Sequence, residues 1–246
     1  MNQLLCLLVP ALLAGCSTPS GTPENAPPAK DDPAMEPLAG AKHFQRWELP
    51  NLDDNVRHDT LLVYTTHAVG NGTFLMAARN VEDTREGLRL FLYRPRPDSS
   101  AEVLAVSKPA YDSDVMLPTF FTTGDTSDGL VVLANYGSWD SWGQNAFVLK
   151  DRQFKDLGWL DVAERVWENR LDSVQQRRLN IAPKTIVTGK NGQFEFTFAT
   201  DSVQLYDDLE GGIEVMLPSI RVRYRFTGLD MRLLVDGHAR IPKEGL

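Results

Sequence analysis

From residue 220 to residue 226 the chain reads Ile-Arg-Val-Arg-Tyr-Arg-Phe, apolar at every second position and arginine between. A period of two puts the apolar side chains on one face of a pleated strand and the charges on the other, which a helix cannot do. The same grammar runs through most of the chain. Segments 60–67 and 73–79 flank Gly70-Asn71-Gly72, and 88–93 is closed by Arg94-Pro95-Arg96-Pro97-Asp98 before its partner 102–106. Segments 146–150 and 154–159 flank Asp151-Arg152-Gln153, while 184–188 and 193–200 flank Gly189-Lys190-Asn191-Gly192. The apolar run 130–135 suits a buried strand, and 220–226 turns through Thr227-Gly228-Leu229-Asp230 into 231–235. Apolar runs joined by such turns specify antiparallel hairpins. The expected fold is mainly β, a partial propeller-like, sandwich or barrel body, with 60–106, 117–159 and 184–235 as blade-like units. A closed propeller needs at least four blades. One helix is expected near 161–178: Asp161 caps, Glu164 completes a capping box, and Leu160, Ala163, Trp167, Leu171 and Val174 follow at helical spacing.

The two cysteines, Cys6 and Cys16, both fall within the first 16 residues, MNQLLCLLVPALLAGC. The apolar run from Leu4 to Leu13 is shorter than the roughly 20 residues of a membrane-spanning helix and reads as the core of an export signal. Its end, Leu13-Ala14-Gly15-Cys16, resembles the lipobox of bacterial lipoproteins. The resemblance implies cleavage before Cys16, diacylglycerol on its thiol and acylation of its new amino group. A cleaved signal without lipid is the alternative, and it too gives an exported protein. Removal of Cys6 and acylation of Cys16 leave no thiol for catalysis, zinc or disulfides. Ser17 in place of an aspartate resembles sorting to the outer membrane, with the body in the periplasm.

Residues 17–40 contain six prolines and little apolar bulk, so 16–40 reads as a lipidated cysteine and extended tether. The tether carries a net charge of −3 and the body, 41–246, a net −5, within a total of −8. That balance argues against nucleic-acid binding.

Residues 123–147 resemble one repeat of integrin-type FG-GAP propellers, in which an acidic calcium loop precedes a strand ending in Asn-Tyr-Gly, here Asn135-Tyr136-Gly137. The resemblance implies Asp125 and Asp128 as calcium candidates. They supply too few oxygens for the six to eight that calcium takes, so the expectation is no metal and no cofactor. In the stretch Tyr136-Gly137-Ser138-Trp139-Asp140-Ser141-Trp142-Gly143, the candidate contact residues are Tyr136, Trp139, Asp140 and Trp142, which suit sugar stacking or a protein hot spot as well as a packed sheet end. No zinc, nucleophile-elbow or phosphate-loop motif is present. His58, His67 and acidic pairs such as Asp53-Asp54, Asp112/Asp114 and Asp207-Asp208 leave hydrolase chemistry as an alternative. The leading expectation is a membrane-anchored, non-catalytic binder of a protein partner, of inhibitor, immunity or envelope-scaffold type. The alternative binder is a cell-wall glycan module using Trp139 and Trp142.

Overall fold

The computed structural model describes residues 34–52, 54–58, 60–82, 87–98, 100–109, 115–138, 141–170, 173–207 and 213–240. The strands in chain order are β1 (Lys42–Trp47), β2 (Asp54–His58), β3 (Leu61–Gly70), β4 (Thr73–Asn80), β5 (Arg89–Pro95) and β6 (Ala101–Val106). There follow β7 (Val115–Thr122), β8 (Leu130–Ser138), β9 (Ser141–Lys150), β10 (Gln153–Leu160), β11 (Val162–Arg170) and β12 (Ser173–Leu179). The last are β13 (Thr185–Lys190), β14 (Gln193–Phe198), β15 (Ser202–Asp207), β16 (Ile213–Pro218), β17 (Val222–Phe226), β18 (Met231–Val235) and β19 (His238–Ala239). Three 3-10 turns, Thr126–Asp128, Ala182–Lys184 and Ser219–Arg221, are the helical backbone among the described residues. The protein is therefore mainly β, as the alternation predicts. The hairpins at Asn71-Gly72 and Asn191-Gly192 form where expected, with positive φ at both turn residues, as a two-residue hairpin of primed type requires.

Ten strands form one sheet in the order β10-β9-β8-β7-β1-β13-β14-β17-β18-β19. It curls into a half-barrel. β1 makes the splice: Lys42–Phe44 pair with β13, and Gln45–Trp47 pair with β7. That stagger joins the segments 117–159 and 184–235 into one sheet instead of two separate blades. At the opposite side β10 passes over β18, where Gly158 takes φ +109° and a Cβ would lie 2.7 Å from Met231 Cβ. A register shift between Asp156 and Gly158 accompanies the crossing, and such a bulge bends and twists its strand.

The core inside the curl takes Phe121, Val131 and Leu133 from one wall and Phe194, Phe196 and Phe198 from the other. The four-stranded sheet β12-β11-β15-β16 adds Val162, Val203 and Leu205. The five-stranded sheet β2-β3-β4-β5-β6 makes a further layer. Its Leu75, Ala77 and Leu90 meet Phe120, Val132 and Ala134 on the outer face of the curl. β8 is thus buried on both faces, which is why 130–135 is continuously apolar rather than alternating. Phe121, Phe147 and Phe196 are fully buried, and each contributes about 1.5–3 kcal/mol by leaving water.

The helix expected near 161–178 is absent. β11 and β12 pair as an antiparallel ribbon from Glu164↔Leu179 to Arg170↔Ser173. Leu160 and Val162 enter the barrel core. Val162 and Ala163 pair with Leu205 and Gln204 of β15, and the Asp161 carbonyl, instead of capping a helix, accepts the Tyr224 hydroxyl at 3.1 Å. These tertiary ties outweigh the few tenths of a kcal/mol per residue by which such a composition favours helix. Trp167 and Val174, placed by helical spacing in a buried stripe, are 63% and 61% exposed.

Residues 34–40, assigned by composition to the tether, lie along the outer face of β14, β17 and β18. Lys190 Nζ donates to the Ala39 carbonyl at 2.6 Å and Arg225 Nη2 to that of Glu36 at 2.5 Å. Arg223 Nη1 reaches the Met35 carbonyl at 3.5 Å, and Met35 N–H donates to Gly237 at 2.7 Å. Beneath this strap Arg225 also donates to the buried carboxylate of Glu195, its register partner, and Arg223 reaches the same oxygen at 3.4 Å. The strap runs the length of the barrel wall, from the β13–β14 turn to the β18–β19 turn.

Candidate functional site

The residues singled out by sequence go to different places. Tyr136 is 4% exposed and belongs to the interlayer core, its ring 5.3 Å from that of Trp159. Its hydroxyl has no hydrogen-bond partner among the described residues, and burial pushes the phenol above its ordinary range. Trp142 lies in β9 opposite Gly137. Trp139 and Asp140 lie outside the described residues, as do Cys16 with the rest of the lipobox and Asp53, Asp112, Asp114 and Asp208. Asp125 accepts the Ser127 N–H at 2.8 Å and caps the 3-10 turn. Lys42 Nζ sits 2.8 Å from both oxygens of Asp128 and 4.0 Å from Asp125. The Lys42 ammonium thereby holds the Asp128 carboxyl below its ordinary range. His67 is buried beside Phe120, its Nδ1 within 3.1–3.2 Å of the Pro50 and Leu49 carbonyls and its Nε2 without a partner among the described residues. Among the described residues no three or more His, Cys, Asp or Glu are grouped to hold a metal ion.

A groove of about 720 Å³ opens at the mouth of the half-barrel. Its rim is three turns: Thr126–Asp128, Asp151-Arg152 and Asn191-Gly192. Its floor includes Phe44 and Phe194, which meet edge to face at 5.7 Å, and Val148. Four lysines line it, Lys42, Lys150, Lys155 and Lys190, against two carboxylates, Asp128 and Asp151. The partners of these ammoniums differ. Lys42 is neutralised by Asp128, whereas Lys190 holds a backbone carbonyl and Lys155 lies 4.8 Å over the Phe226 ring. A carbonyl or a ring orients a cation without cancelling its charge. The mouth is therefore electropositive on a chain of net charge −8.

A second feature is the β11–β12 ribbon. β15 pairs with β11 only at Val162 and Ala163, so Glu164–Arg170 have β12 as their strand neighbour among the described residues. Trp167 is held there by Arg165, whose guanidinium carbon is 4.9 Å from the ring centroid, and Arg177 pairs with Glu168 at 2.6 Å.

Sequence reasoning missed both features. The mouth had a legible signal, since Lys150 and Lys190 are each the last strand residue before a hairpin turn that the sequence does predict. Nothing local announced that β1 would bring these turns together. No family model matches the chain, and neither does any curated protein or solved structure.

Proposed function

We propose that the chain is a bacterial lipoprotein, anchored through acylated Cys16 in the outer membrane, with a non-catalytic periplasmic body that binds a protein partner. The anchor rests on Leu13-Ala14-Gly15-Cys16 at the end of the short apolar run. The observation that carries partner binding is the β11–β12 ribbon, which holds out Trp167 and Val174 where two strands have no third neighbour among the described residues. Tryptophan and arginine are the residues that dominate protein interfaces, and a ribbon spending them on solvent gains little for the fold itself.

Photo-crosslinkers at positions 167 and 174 in living cells, with one at exposed Leu229 as control, test the reading. One protein should be captured from both ribbon positions and not from 229. Absence of any adduct at 167 and 174 would overturn partner binding by this ribbon. Separately, Cys16→Ala should abolish acyl labelling and release the protein from the membrane fraction; retention with undiminished labelling would refute the anchor.

A further inference from the structure

The mouth of the half-barrel is independent of the ribbon and answers to different chemistry. Its volume falls within the roughly 300–1,000 Å³ of small-molecule sites, and barrel mouths are a recurrent place for them. Three turns frame it, two of them tight hairpins, so its shape is preset. Among the described residues only one of the four lysines is paired with carboxylates, Lys42 with Asp128 at 2.8 Å and Asp125 at 4.0 Å. Lys155 and Lys190 are oriented by a ring and by a carbonyl. Lys150 closes β9 at the rim, within electrostatic reach of Asp128, which Lys42 already satisfies. Both ends of a ligand are thus specified, a charge-accepting rim and an apolar floor. The floor also limits size. Phe44 and Phe194 pack so closely on Gly189 that a Cβ there would lie 2.9–3.0 Å from both rings. A long chain has no path between them into the core, so the apolar part must be compact.

We infer that the mouth binds a small amphipathic anion, a phosphate or carboxylate borne on an aromatic or short aliphatic group. The anionic head sits between Lys150 and Lys155, with Lys190 behind, and the apolar part lies against Phe44, Phe194 and Val148. The strap leaves the site open, because it crosses the outer face of the wall and only its Gly40 end touches the rim.

Titration of the purified full chain with 1-naphthyl phosphate, followed by ligand fluorescence and calorimetry, tests the site. Binding should saturate at one per chain and weaken at least tenfold between 50 and 200 mM salt. 1-Naphthol and inorganic phosphate should each bind at least tenfold more weakly, since each lacks one half of the chemistry. K150E/K155E should lose at least tenfold in affinity with an unchanged circular dichroism spectrum. R96E/R232E, an equal change in net charge at exposed sites elsewhere, should lose less than threefold. No saturation below millimolar naphthyl phosphate overturns the inference. So does equal loss in the two double variants, or binding to phosphatidylglycerol vesicles without binding to free 1-naphthyl phosphate.

Discussion

Gly158 stands where β10 crosses β18, with φ +109° and Met231 Cβ 2.7 Å from the place of its missing side chain. Gly158→Ala therefore meets two costs, a backbone region that L-residues avoid and a clash at the closure of the curl. Gly192, at φ +76° with open space around it, meets only the first. Denaturant titration should give about 3 kcal/mol of destabilisation for Gly158→Ala and about 1–2 kcal/mol for Gly192→Ala. His67 supplies a second residue-scale expectation. Burial lowers its pKa from 6.5 although its Nδ1 meets two carbonyls. Its folded pKa is below its unfolded one, so the unfolded chain takes up the proton first. Stability is then complete above pH 6.5 and falls as the pH drops below it, by up to about 1.4 kcal/mol per pH unit. The aspartates with depressed pKa, such as Asp128 and Asp230, act in a separate window, below their usual 3.8. His67→Gln should flatten the slope between pH 5 and 6.5 and leave the acid limb in place.

At the scale of elements, hairpins were readable and the ribbon was not, for one physical reason. The turns at Asn71-Gly72 and Asn191-Gly192 are dictated by backbone conformations that only a few residues adopt without strain, so the local sequence decides them. Residues 160–179 are decided elsewhere. Their helical spacing is real, but burial of Leu160 and Val162 in the barrel and the pairing of Val162 with Leu205 fix the backbone as strand before the local preference counts. Beyond Ala163 each ribbon strand has one strand neighbour among the described residues, which leaves its other edge without a backbone partner there. Amide exchange should be at least a hundredfold faster across 164–179 than across 131–134 of β8, which is flanked by β7 and β9 and buried on both faces. Equal protection of the two segments would contradict the pairing.

For the whole molecule, what stayed hidden was the role of Lys42–Trp47. In Lys-His-Phe-Gln-Arg-Trp only Phe44 is buried, so its pattern carries no sign that it splices β7 to β13, strands over 60 residues apart in sequence. The assembly of the lysine rim follows from that splice and was illegible with it. The strap was hidden for another reason. Composition marks 34–40 as tether, and only the arginines of β17, legible as one charged face, reveal what it docks against. Glu195→Ala should cost about 3–5 kcal/mol, since it leaves Arg225 buried without its carboxylate. Asp236→Asn, which breaks the exposed pair with Arg221, should cost under about 1 kcal/mol by the same thermal and denaturant measurements. The course of the strap also sets where a force on the N-terminal side enters the body. A pull arriving from the N-terminal side meets the protein at Met35, beside Gly237, at the opposite end from the lysine rim. Tension would load the bonds one after another, Gly237 and Arg223 first, then Arg225, and Lys190 last. The lysine rim, at the far end of the strap's course, is thus the last place along it to feel the load.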